Sequence, residues 1–399
     1  MSFWKDYEDE QCRTYNSPKS GEKFVCSSHF NNKYLRLYIN NKGQIGECSY
    51  CSKRGTVIDM SDFINYVGDR ITNYIGPVDD EGLYLSKSFF DDDDEVIPGI
   101  DKFGDYAIPS DAERYENVNE VMEDYDLVTD NDVLNDDIAN CFNVDYWIRR
   151  DPMGLLMKDE LMQLWMKFSN LVKTKLRYTF FRSAEYYDGL YHGLESDIIA
   201  EVSNMVGKLE ETIDVGTMLY RGRPEDNDAP FEKFESLTAP PAQFAKENRM
   251  SPYGISTFYG SFDDCTPIKE IKNYLDDKSK KIYLGEFEVT RQLKVINLCA
   301  IPSPDFWMDN KDDWQQYAFL HNFHTEISKP VGVSANPKLE YIPTQVFCEY
   351  LRYIQKSKDG KPYDGIIYSS AMTKDKNVAL FFDNKTSSNV LKLNKVELI

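Results

Sequence analysis

The chain has 399 residues, a formal net charge of −21, 41% hydrophobic and 14% aromatic content, and eight cysteines. This is globular composition long enough for two or three cores, and it excludes both a disordered chain and a small disulfide-stapled scaffold. No apolar run approaches a membrane span, and the opening MSFWKDYEDEQC lacks the plan of a signal peptide, so a cytoplasmic protein with reduced thiols and no membrane partner is expected.

Residues 1–57 read as a zinc-ribbon-like unit. Cys26-Ser-Ser-His29 and Cys48-Ser-Tyr-Cys51 are two knuckles, each with two intervening residues, and each puts a pair of ligands on one tight turn. The intervening KYLRLYINNKGQIGE alternates, which predicts a hairpin. Four soft or borderline ligands suit tetrahedral zinc with no open position, so a structural Zn2+ on Cys26, His29, Cys48 and Cys51 is expected. Cys12 lies outside the pattern. Between Pro18 and Arg54 seven Lys or Arg stand against two Glu, a basic stretch that reads as a solvated face. Further on, 21 acidic residues between Asp79 and Asp137 face only Lys87, Lys102 and Arg114. That balance disfavours general nucleic-acid binding, which draws its affinity from cations meeting phosphates.

Residues 58–215 read as an acidic helical middle domain. VIDMSDFINYVGDRITNYIG has helical spacing with a start near Ser61 or Asp62. DEGLYLSKSFFDDDDEVIPG is a linker, and its run Asp91 to Asp94 is a solvated charge cluster rather than a converging cage. Short amphipathic patterns follow in ENVNEVMEDYDLV and NDVLNDDIANCF. The strongest long helix is PMGLLMKDELMQLWMKFSNLVKTKLRYTFF, and LESDIIAEVSNMVGKLEETI supplies another that ends near Gly216.

From residue 216 to 399 strands and helices mix. LYRGR at 219–223 puts an Arg after a strand-like end; Pro252-Tyr-Gly254 is a turn; Ile255 to Tyr259 is a short apolar run. A helix starting at Thr266-Pro267 buries Ile268, Ile271 and Leu275, which turns Glu270 off the apolar stripe. KIYLGEFEV, LKVINL, YDGIIYSS, NVALFF and LKLNKVELI read as strands, DWQQYAFLHNFH and TQVFCEYLRYIQ as helices. The expected class is α+β with a central antiparallel or split sheet. His321, His324 and Glu326 have metal-like spacing without a further ligand pair, and read as structural.

An Arg, an aromatic–Glu pair and a Ser, each at the mouth of a predicted strand, resemble the Arg-Glu-Ser signature that names the RES domain family. Arg221 fits its Arg; Arg249, Gly254 and Tyr259 fit its second Arg, turn Gly and Tyr; Glu270 follows eleven residues after the Tyr; Ser370 closes the Asp-Gly-aliphatic-aliphatic-Tyr run. Two departures are Ser369, where the family usually has Pro, and Met250, where an aromatic is common. The resemblance implies an ADP-ribosyltransferase-like mixed sheet and a bacterial toxin that consumes NAD. It makes Arg221, Tyr259, Glu270 and Ser370 the catalytic set, with Arg249 and Ser369 binding substrate. The preceding region is similar to the HEPN/RES amino-terminal domain. Arg182 and His192 stand too far apart for the HEPN ribonuclease motif, so a scaffold or sensor role is implied.

These residue types suit NAD cleavage. A fixed carboxylate stabilises the cation that develops on the sugar, a planar guanidinium grips the phosphates, a phenol walls the nicotinamide, and a hydroxyl bonds ribose or amide. No phosphate loop, GxGxxG turn or GxSxG elbow occurs. The expected function is an NAD-degrading toxin or defence effector, hydrolysing or phosphorolysing the nicotinamide–ribose bond, with a neutralising or triggering protein partner. The alternatives are ADP-ribose transfer to a macromolecule, and a non-enzymatic zinc-ribbon interaction protein.

Overall fold

The computed structural model describes residues 14–77, 113–142, 144, 146–150, 154–182, 198–225, 231–275, 280–329 and 336–399. Cys12, the run Asp91 to Asp94, the linker around it and His192 lie outside the described residues. The chain divides into two compact units, Met1–Leu156 with Asp305–Trp314, and Met157–Pro304 with Gln315–Ile399.

The first unit opens with β1 (Phe24–Cys26), α1 (Lys33–Lys42), β2 (Gln44–Glu47) and β3 (Arg54–Asp59), whose strands form an antiparallel sheet in the order β1-β3-β2. The hairpin expected between the knuckles is therefore corrected: its first ten residues are a helix. Asn32 caps it, accepting from Tyr34 N at 2.9 Å and Leu35 N at 3.3 Å, and Leu35 and Ile39, one turn apart, are fully buried. Capping and the buried i, i+4 pair outweigh an alternation that also fits the letters.

Next comes α2 (Met60–Thr72), capped by Asp59, which accepts from Ser61 N at 2.9 Å. It is followed by β4 (Ile75–Pro77), β5 (Arg114–Tyr115), α3 (Val118–Asp124), α4 (Asp132–Ala139) and β6 (Trp147–Arg149), with a second sheet ordered β4-β6-β5. Val25, Phe30, Leu35 and Ile39 share one buried cluster with Phe63, Leu134 and Trp147, so a boundary at residue 57 falls inside a single core. The segment 305–314 belongs to the same core. Trp307 is buried there and donates from Nε1 to Tyr125 O at 2.6 Å, while Asn32 Nδ2 donates to Asp305 Oδ2 at 2.9 Å. Trp307→Ala is expected to cost this unit about 3–5 kcal/mol by cavity formation. Denaturant unfolding checks it, and an unchanged midpoint would contradict it.

The second unit begins with α5 (Met157–Thr174), α6 (Ile198–Gly207) and β7 (Glu210–Ile213). The segment read as a helix end is thus an edge strand, in which Ile213 pairs with Leu293 and Thr212 with Lys294; β-branched neighbours suit a pleated edge. Then follow β8 (Met218–Pro224), β9 (Phe258–Ser261), α7 (Cys265–Tyr274), β10 (Ile282–Val289), β11 (Leu293–Asn297), α8 (Asp313–Ser328), α9 (Ile342–Tyr353), β12 (Gly365–Ser369), β13 (Lys376–Leu380) and β14 (Leu391–Leu398).

These strands make one eight-stranded mixed sheet, β14-β10-β8-β9-β13-β12-β11-β7, antiparallel except between β11 and β12. Trp165 of α5 and Val202 of α6 share a buried cluster with Phe323, Phe347 and Ile366, so both helices pack with the sheet, and a boundary at residue 215 falls after them. The run Ile255 to Thr257 stays outside the sheet, and β9 starts at Phe258. Between β8 and β9 the pairing is one residue pair, Tyr220 with Ser261. There the sheet parts. Among the described residues no helix is long and apolar enough to cross a membrane.

Candidate active site

Where β8 leaves β9, backbone groups lose their ladder partners and must find others. The Tyr259 carbonyl accepts from Arg221 Nη1 at 2.7 Å, and the guanidinium lies 5.5 Å over the Phe258 ring. Arg221 Nε is buried without a hydrogen-bond partner, and no carboxylate pairs with this side chain among the described residues. Burial, with the like charge of Arg223, pushes its pKa down to about 9, which leaves it cationic at neutral pH. A desolvated cation without a counter-charge favours an incoming anion.

Glu270 comes from α7. Gly222 on β8 allows the close approach of this helix: a Cβ there would stand 2.5 Å from Ile271 Cδ1 and 3.4 Å from Pro267 Cβ. Asp263 fixes the helix start by accepting from Thr266 N at 2.7 Å and from Ser261 Oγ at 2.9 Å. The Glu270 carboxylate then accepts, on Oε1, from Ser370 Oγ at 2.5 Å and from Asn377 Nδ2 at 2.9 Å.

Arg221, Arg249, Tyr259, Glu270 and Ser369 all line one cavity of about 470 Å³. That volume lies within the usual range for small-molecule sites. Ser370, 1% exposed, stands behind the wall: its Oγ accepts from Met372 N and Thr373 N at 3.3 Å each and donates to Glu270. The hydroxyl expected to meet ribose is thus engaged by the carboxylate, while Ser369 beside it faces the cavity. Arg249 donates from Nη1 to Ile327 O and from Nη2 to Lys329 O at 2.6 Å, at the end of α8, and lies 5.0 Å over the Tyr341 ring. It offers the cavity charge and a flat face rather than a free fork. Tyr259 O–H pairs with Ser251 Oγ at 2.8 Å, and burial pushes the phenol up, so it is neutral at physiological pH. Sequence reasoning missed Tyr220, Tyr368 and Asn377, which also line the cavity, and gave Tyr341 no role. The available signal for Asn377 was an amide opening the apolar strand NVALFF.

Compared with known families, residues 219–396 match the RES domain and residues 41–186 match HEPN/RES N-terminal domain 1. The chain is a RES-domain protein with a HEPN/RES N-terminal region. No curated protein matches it. The cavity lies wholly within the RES match, since its lining runs from Tyr220 to Asn377. The HEPN/RES match runs from residue 41 past Leu156, so it takes in α5 as well as part of the core of the first unit.

A second candidate centre lies at the knuckles. The ligand atoms of Cys26, His29, Cys48 and Cys51 are all within 4.8 Å of one another, with Cys26 Sγ 3.7 Å from Cys51 Sγ and Cys48 Sγ 3.4 Å from His29 Nε2. Two thiolates held at ~2.3 Å by one tetrahedral ion stand ~3.8 Å apart, so the donor set fits a metal. His29 turns its other nitrogen, Nδ1, to Asp130 Oδ1 at 3.5 Å, the outer partner that a metal-bound imidazole commonly has. Cys48 and Cys51 fall inside the HEPN/RES match, and Cys26 and His29 precede it. Among the described residues the other group of three possible ligands is Asp263, Asp264 and Cys265, half-exposed to exposed; His321 faces Pro302 O at 3.1 Å and gathers no such group with His324 and Glu326.

Proposed function

We propose that the RES domain breaks the nicotinamide–ribose bond of NAD and that the protein acts as an NAD-degrading toxin or defence effector. One observation carries the reading: an uncompensated guanidinium, Arg221, and a doubly anchored carboxylate, Glu270, face the same cavity. The pyrophosphate meets Arg221, nicotinamide lies against the Tyr259 and Tyr341 rings, and the ribose reaches Glu270. As the C1′–N1 bond breaks, its electron pair neutralises the pyridinium nitrogen and positive charge moves to the sugar, where the carboxylate stabilises it. Water then adds to C1′ and gives up a proton, yielding ADP-ribose and nicotinamide. Phosphate in place of water gives the phosphorolysis product from the same site.

Following nicotinamide and ADP-ribose from purified protein and NAD tests this. Free ADP-ribose, or its 1″-phosphate when phosphate is supplied, supports cleavage; label retained on protein or nucleic acid supports transfer instead; no nicotinamide under any condition, including release from a neutralising partner, sinks both. Arg221→Lys keeps the charge but loses the planar fork. A charge-assisted hydrogen bond is worth about 1.5–3 kcal/mol, so kcat/KM for NAD is expected to fall by roughly 10- to 150-fold, mostly through KM. An unchanged KM would argue against phosphate binding at this residue.

At the knuckles the proposed ion is structural Zn2+, held by three thiolates and one imidazole. It has no place in the chemistry of bond cleavage.

A further inference from the structure

We propose that Asn377 is a positioning residue of the RES site, one that decides which oxygen of Glu270 meets the substrate; the proposal rests on the NAD-cleaving reading. Asn377 lies on β13, in the interior of the sheet, and its backbone is paired on both sides, with Tyr368 of β12 and Ser261 of β9. Its side chain is 6% exposed and borders the cavity.

Both Asn377 Nδ2 and Ser370 Oγ donate to the same oxygen, Glu270 Oε1, at 2.9 and 2.5 Å. Among the described residues no hydrogen bond reaches Oε2. A glutamate on a helix has three rotatable bonds, and one partner fixes a distance without fixing the carboxylate plane. Ser370 is itself a rotor, although its oxygen is pinned by Met372 N and Thr373 N. The amide of Asn377 is planar and rooted in a paired strand, so it supplies the second direction. Two donors on Oε1 from a loop and a strand leave Oε2 as the oxygen presented to the sugar. The competing account is that Asn377 only satisfies a buried amide and that Glu270 would hold its pose without it.

Asn377→Ala and Asn377→Asp in the full chain distinguish the two, with thermal melts to verify folding. For Asn377→Ala, kcat on NAD is expected to fall about 100-fold, the scale of an ångström-sized misplacement, with KM much less affected. Asn377→Asp keeps the shape but, when ionised, removes the donor; its activity is expected to recover as pH falls and the new carboxyl can donate again, a limb that the parent lacks. The other titratable groups that line the cavity, Tyr220, Arg221, Glu247, Arg249, Tyr259, Tyr341 and Tyr368, are common to both proteins and cancel in that comparison. A parent-like kcat in both variants, or a parent-like pH profile for Asn377→Asp, overturns the proposal. Crystals of unliganded parent and Asn377→Ala decide it without NAD: a turned or multiply placed Glu270 carboxylate supports it, an unmoved one overturns it. A parent that releases no nicotinamide would sink the NAD reading alone. If Asn377→Ala does not fold, the near-isosteric Asn377→Asp carries both measurements.

Discussion

Glu270→Gln is expected to yield a folded protein that releases nicotinamide about 100- to 1,000-fold more slowly than the parent, the usual scale for removing one group that stabilises transition-state charge. The substitution is close to isosteric. Its carbonyl oxygen can still accept from Ser370 and Asn377, which are the contacts that Glu270 makes in the wall of the cavity. What changes is the side facing the sugar, where an anionic oxygen becomes an amide that donates. In the proposed mode the ground state of NAD would lose little by this, since its phosphates and rings would be held elsewhere; the transition state would lose the charge facing its cation. The drop is therefore expected in kcat, with KM nearly constant and a melting temperature at or above that of the parent. Nicotinamide release measured beside a thermal melt checks both halves. Equal rates for the two proteins would remove Glu270 from the chemistry, and with it the account of the site.

Much of this was legible in one dimension. Arg221, Tyr259 and Glu270 were legible through the RES resemblance, with Glu270 eleven residues after Tyr259, and the strand alternation of KIYLGEFEV and the helical spacing after Thr266 are local signals. The features missed are those set by distant parts of the chain. The parting of β8 from β9 depends on a single pair, Tyr220 with Ser261, and no local pattern announces it. Ser370 was legible as a residue but not in its contact, because its bond to Glu270 spans 100 positions of sequence. Asn377 was passed over because a polar residue opening an apolar strand normally marks a boundary. The stretch KYLRLYIN fits periods of two and of 3.6 about equally, and the decision came from Asn32, just before it, which caps a helix. Likewise Trp307 sits between a strand and a helix of the second unit in sequence, yet its ring packs with Tyr66 and Phe306 in the first. Which core an aromatic joins is a packing outcome, and composition does not carry it.

Stripping the metal, or replacing a ligand as in Cys48→Ser, is expected to remove the unfolding transition of the first unit. The knuckles have little apolar material of their own: Cys26, Cys48 and Val57 form a small buried group, flanked by Phe24, Tyr50 and Cys51. On the proposed reading the ion, rather than apolar packing, would hold three thiolates and an imidazole together in so small a core. For structural zinc the apparent binding free energy, about 10–16 kcal/mol in finger peptides at neutral pH, is also folding free energy. The effect would not stop at the knuckles. β1 and β3, which carry or adjoin the ligands, also supply Val25 and Ile58 to the larger core, and Asp59 at the end of β3 caps α2. Losing the ion should therefore loosen α2 and its neighbours. Metal analysis of the purified protein should find one zinc per chain, and chelation should erase the corresponding calorimetric peak. Asp130→Asn gives a graded version: it weakens the partner of His29 Nδ1 and is expected to lower zinc affinity by about 10- to 100-fold without removing a ligand. Protein that carries no metal as purified and melts identically with and without chelator would leave Cys26, His29, Cys48 and Cys51 as ordinary buried side chains.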